Sequence, residues 1–245
     1  MASRSVSRCN RSVHVASVGR VTATSAGATP RTIRQQRSAW VLVAVIWAGY
    51  FLVRALGAPE EVENLAKALL MPTLLVWVLV ALRAAAPRWL VLGLVFATVG
   101  DIAIIYVFEL GILGFLVMQL CYIVGFISLG AVAGLRARWP VALGYVVIWL
   151  AVNLGLGEQF GDLRIPVLVY SLAICVMGVL AAGVGTRVGV GAALFLISDM
   201  FIAFGEVDID FTGRAALIMP TYLAAQYLIA TGWARRVDPN VVVPV

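Results

Sequence analysis

Three observations predict an all-α fold, a polytopic membrane bundle of eight transmembrane helices. The chain is 62% hydrophobic and 12% charged, with a mean hydropathy of +1.01, against about 45–50% apolar and about 25% charged in soluble domains. Its apolar stretches recur at the roughly 20-residue length that crosses a bilayer as a helix, and none has the alternation of a barrel strand. Its charges fall in the short connections between those stretches. Helices are then required, because no backbone group can be left unpaired in lipid.

In order, the spans are predicted at 38–56, 64–83, 88–106, 111–132, 139–156, 165–186, 188–205 and 214–233. Residues 1–37 precede them as a basic, disordered tail, rich in Arg, Ser and Thr, free of acids and holding the one histidine, His14. The tail can be read as a solvated leader, an anionic-lipid-binding segment or a transit peptide. A signal peptide fits less well, since the apolar run at 39–56 is long enough to span and follows too long a leader. Residues 234–245 read as a short tail.

Orientation follows from the Lys/Arg excess of cytoplasmic loops. With the N-terminus inside, the inner segments hold fourteen of the eighteen basic residues, while the outer loops hold Arg54, Arg164 and Arg214 beside nine acids. Both termini are expected in the cytoplasm of a bacterial plasma membrane. The +6 net charge then needs no nucleic acid, and nothing in the pattern sets an oligomeric state.

Against this apolar background the intramembrane polar residues stand out. Asp101 in the third span and Asp199 in the seventh each cost about 2.5–3.5 kcal/mol at a helix centre on insertion scales, which makes a buried acid a functional candidate. Each lies about six residues, or about 9 Å, before the outer end of its span. Lys67, the one lysine, enters the second span about one turn below the outer surface. It reads either as a snorkelling side chain or as a ligand for a lipid phosphate. Gln119 and Tyr122 share a face of the fourth span, Tyr170 lies in the sixth, Ser198 adjoins Asp199, and Tyr222 and Gln226 share a face of the eighth. Singly, such residues serve as interhelical glue. Together they converge on the outer half of the bilayer, above an inner half of Leu, Val, Ala and Ile, which describes a pocket rather than a pore.

LVFATVGDIAI and ALFLISDMFIA, about 98 residues apart, echo each other. Each precedes an acidic, Phe-containing turn, at 108–111 and 211–213, and Pro72 and Pro166 interrupt the helix before each. A 4+4 parallel repeat would place both acids at one depth.

The series Lys67 with Met71-Pro72, Gly100-Asp101, Gly111 and Phe115 to Tyr122, Tyr170, LFLISD at 194–199, and Tyr222 with Gln226 resembles the YhhN family of lysoplasmalogenases. The resemblance covers 38–233. Two positions depart from the family pattern: Ala68 follows Lys67 where members carry Pro, and Gln119 stands where His is common, which removes a titratable group. The resemblance implies hydrolysis of the vinyl ether bond of a lysoplasmalogen, with a lysophospholipid substrate drawn from membrane lipid.

The residues suit that reaction. Enol ether hydrolysis needs an acid to protonate the vinyl carbon and a base to activate water. Two close carboxylates in a poorly solvated site share one proton, so Asp101 and Asp199 are expected to form the catalytic pair, without separate proton assignments. Tyr170, Tyr222 and Gln226 would orient the ether oxygen or water, and Lys67 would meet the phosphate; Gln119, Tyr122 and Ser198 complete the expected substrate-binding set.

Other classes fit less well. Thr98 and Ser198 stand where intramembrane aspartyl proteases carry Gly and Tyr. A zinc hydrolase needs histidine ligands, and no span contains one. Lys67 lies too near a helix end for a retinal Schiff base. No soluble cofactor and no metal is implied; Cys121 and Cys175 read as small hydrophobes. The alternative function is a lipid carrier or proton-coupled transporter using the same acids, which would require polar groups through the inner half as well.

Overall fold

A computed structural model describes residues 30–243. The Arg- and Ser-rich segment 1–29, with Cys9 and His14, lies outside the described residues. All regular structure among the described residues is helical, and eight segments are long and apolar enough to cross a membrane.

The first span is α1 (Pro30–Ala55), which begins eight residues before the expected start at 38. The segment 30–37 is polar but compatible with helix, and its Gln36 is 2% exposed. Its amide donates to the Ala81 carbonyl at 3.3 Å and its Oε1 accepts from the Val242 N–H at 2.9 Å.

The second span is two helices, α2 (Glu60–Ala68) and α3 (Leu70–Leu82), parted at Leu69. Pro72 explains the break. Its ring collides with the carbonyl four residues back, that of Ala68, and it has no N–H to offer, yet it fits the first turn of a new helix. Three glutamates, Glu60, Glu61 and Glu63, stand in the first turn of α2 and Lys67 in its last, each at the helix end whose dipole favours its charge.

The third span, α4 (Arg88–Tyr106), has the expected limits. It is followed by α5 (Phe108–Ser128), and the fifth span divides into α6 (Ala131–Leu135) and α7 (Trp139–Leu156). Then come α8 (Arg164–Val184), α9 (Thr186–Glu206) and α10 (Arg214–Val237). Pro166 was expected to interrupt the sixth span; it occupies the first turn of α8, where a missing N–H costs nothing.

The core is formed by α1, α3, α4, α5, α8, α9 and α10, with α4 against α5 and α9 against α10 the most extensive pairings. Close approach of α4 and α5 depends on small residues. A Cβ at Gly114 would sit 2.8 Å from the Gly100 Cα, so the backbones meet directly, as small residues allow in bilayers. That contact adjoins Asp101. By contrast α7 buries one side chain, Tyr145. The segment after α10 does more than the sequence suggests: Val241 and Val243 are buried, and the Trp40 indole donates to the Val242 carbonyl at 3.0 Å. The C-terminal segment is thereby tied to α1.

Candidate functional site

The site is built where α4, α8, α9 and α10 meet below the end of the bundle that carries α2. Asp101 is 2% exposed, and its Oδ2 accepts a 2.9 Å hydrogen bond from the Tyr222 hydroxyl. Asp199 is half-buried, and its Oδ2 accepts a 2.5 Å hydrogen bond from the Tyr170 hydroxyl. Each carboxylate thus has its own tyrosine from a different helix. Hydrogen bonds to ionised groups are the stronger kind, which suits the cost of placing acids here.

Asp101, Asp199, Lys67, Ser198 and Tyr222 line one cavity of about 320 Å³ of empty space. Lys67 faces Asp101 across it without closing an ion pair within 4.0 Å. The Ser198 hydroxyl donates to the Ile218 carbonyl at 3.0 Å, joining α9 to α10 beside the Pro220 position, where the helix lacks one donor.

Of the predicted site residues, then, Lys67, Asp101, Ser198, Asp199 and Tyr222 share one cavity, with Tyr170 bonded to its edge. Tyr122 and Gln226 lie elsewhere in the core and pair with each other. The Tyr122 hydroxyl donates to Gln226 Oε1 at 2.8 Å, and Gln226 Nε2 approaches Met118 Sδ at 3.2 Å. Neither residue lines a cavity with the aspartates. Gln119 is wholly buried next to the Tyr170 hydroxyl, yet neither of its amide atoms has a partner of good hydrogen-bond geometry. An unpaired buried amide is costly.

A second space adjoins the first and was not foreseen. An apolar cleft of about 750 Å³, counted to its open mouth, lies between α4, α5, α7, α8 and α9. Asp199, Ile104, Phe115 and Ile202 belong to both walls, so Asp199 is where polar cavity and apolar cleft meet. Tyr170 also reaches the cleft, and Glu206 and Phe160 stand at its outer part. Ile104, Trp149 and Phe160 carry no signal in the sequence, since an apolar side chain on a cleft wall looks like one facing lipid.

Fold and site together define an integral multipass helical membrane protein with a pair of tyrosine-bonded carboxylates facing one intramembrane cavity. The family follows from comparison. The chain matches the YhhN family over residues 62–233 and belongs to that family. It is similar to proteins named lysoplasmalogenase from Mycobacterium bovis and Mycobacterium tuberculosis, each 31% identical over 88% of this chain and 92% of the relative. No solved structure matches it.

Proposed function

We propose that this protein is a lysoplasmalogenase-type hydrolase, cleaving the vinyl ether bond of a lysoplasmalogen to a fatty aldehyde and a glycerophospho-headgroup alcohol. The observation that carries the reading is the pair Asp101 and Asp199 on one cavity wall, in a chain similar over most of its length to proteins bearing that enzyme name. The apolar cleft opening from Asp199 supports a long-chain substrate.

In the proposed reaction the protonated carboxylic acid of the pair gives its proton to the vinyl carbon distal to the ether oxygen. The double bond supplies the electron pair, leaving an oxocarbenium ion. The ionised carboxylate stabilises this cation and takes a proton from water as the water oxygen adds to the cationic carbon. The resulting hemiacetal collapses, its carbon–oxygen bond to glycerol breaking as the glycerol oxygen is protonated and the hydroxyl proton leaves. One water is consumed and the pair regains its single proton. Tyr170 and Tyr222 hold the carboxylates in place, and Lys67 meets the phosphate. The orientation that suits this reading puts both termini in the cytoplasm and the site in the outer half of the membrane.

The test is hydrolysis by the purified full-length chain of a vinyl-ether lysophosphatidylethanolamine in deuterium oxide, with the released aldehyde trapped by reduction. The expected product carries deuterium on the carbon next to the former carbonyl, and the saturated-ether analogue is inert. Absence of aldehyde while the lipid still binds would favour a carrier.

A further inference from the structure

Below the cleft the surface between α7 and α8 continues as an apolar groove of about 670 Å³ of empty space, counted to its open side. Cleft and groove share two wall residues, Trp149 and Cys175, so the groove adjoins the cleft along the face of α8. At the far end stand Tyr145 and Leu180. From Tyr170, bonded to Asp199, to Leu180 is a rise of about 15 Å at 1.5 Å per residue, which is half the roughly 30 Å hydrocarbon thickness of a bilayer and so comparable to the length of one lipid chain.

We propose that cleft and groove join past Trp149 and Cys175 into one alkyl-chain site: it takes the single hydrocarbon chain of a one-tailed lipid whose reacting bond lies at Asp199, and the Trp149–Cys175 junction and the Tyr145 floor set the chain length accepted. The proposal rests on the function read above and identifies where its substrate's chain lies.

Three features support it. The site's two carboxylates, Asp199 and Glu206, both line the cleft and none lines the groove, which matches an amphiphile with one polar end. Its outer wall is α7, the helix that buries a single residue, so a chain can enter sideways by displacing lipid rather than protein core. Its floor is shaped by Gly178. A Cβ there would collide with the Tyr145 ring, and without it the ring packs closely on α8 and Tyr145 is 6% exposed.

The experiment uses the full-length chain in lipid nanodiscs and a saturated-ether lysophosphatidylethanolamine with a diazirine at the chain terminus. Photolysis and peptide mapping are expected to place crosslinks on residues 142–149 of α7 and 172–180 of α8. Crosslinks spread evenly round the lipid-facing surface at that depth would overturn the proposal. In parallel, Cys175→Trp fills the junction. The ratio of kcat/KM for long-chain to short-chain vinyl ethers should fall roughly tenfold or more, the worth of about two buried methylenes. Trp149→Ala should shift the preference toward longer chains. An unchanged ratio in both variants would also overturn it. A wild type that crosslinks as expected but releases no aldehyde would refute the enzymatic reading and leave the chain site standing.

Discussion

Asp101 and Asp199 lie at matching places in two echoing helices, yet their surroundings differ. Asp101 is sealed, with Tyr222 its one hydrogen-bond partner among the described residues and Lys67 across the cavity. Asp199 is half-buried, bonded to Tyr170 and set in the wall shared with the apolar cleft. Similar sequence has produced one carboxylate facing the core and one facing the expected path of a lipid chain. In the proposed reaction this puts Asp199 nearer the lipid chain and Asp101 nearer Lys67.

Replacing either acid should have the largest effect. Asp199→Asn is expected to lower kcat by about 10²–10⁴, the usual range for a general acid or base, with thermal stability unchanged or improved. Asp101→Asn should be as inactive. If one variant kept near-wild-type turnover, the two carboxylates would not act as a pair.

The tyrosines sharpen the contrast. Each Phe substitution removes one hydrogen bond to a carboxylate, worth about 1.5–3 kcal/mol when the partner is charged. Tyr222→Phe strands Asp101 where nothing replaces the bond, so a fall in melting temperature is expected beside a loss of activity. Tyr170→Phe leaves Asp199 at the cleft, where water can substitute, and activity should fall with little change in melting temperature. Equal thermal effects would contradict the distinction.

Backbone packing gives the next test. Gly114→Ala forces α5 away from Gly100, and overpacking of this kind costs about 1–3 kcal/mol. Because Asp101 follows Gly100, its effect on activity should exceed that of a lipid-facing substitution on α5 such as Leu113→Ala, as paired assays at matched folded fraction would show.

Lys67→Gln is expected to raise KM several-fold for phosphorylated lysolipids with kcat nearly unchanged, an effect measurable as a loss of salt dependence.

The smallest effect belongs to the loop after α9. There the Arg214 guanidinium, bonded to Asp210 at 2.9 Å, holds that carboxyl below its usual range against slight desolvation, helped by the Phe211 backbone. A depressed acid stabilises the fold above its unfolded value and loses that contribution as pH falls through the folded one, here below about pH 4. Asp210 is fully exposed, so Asp210→Asn should leave activity and melting temperature unchanged at neutral pH.

The number of spans was legible because hydropathy alone decides it, and 88–106 matches α4. Limits were less so, since the stretch expected at 111–132 runs past the end of α5 at Ser128 and over a turn into α6, which opens the fifth span eight residues before the expected 139. The convergence of Asp101 and Asp199 was legible too, since they line one cavity. Which polar residues pair with which was not, because helical spacing fixes a face but not the neighbour it meets. Tyr122 and Gln226 satisfy each other, an arrangement compatible with the pattern that suggested a ligand. The docked C-terminal segment escaped notice because its valines are too few to span, although its backbone bonds to Gln36 and Trp40 of α1. The cleft escaped because its walls read as lipid-facing.

The most direct measurement of the central claim is aldehyde release from a vinyl-ether lysophosphatidylethanolamine by wild type, Asp101→Asn and Asp199→Asn in the same nanodiscs, with lipid binding followed alongside. The account predicts release by wild type, loss of release in both variants, and lipid binding retained in all three. Release that persists in either variant would contradict it.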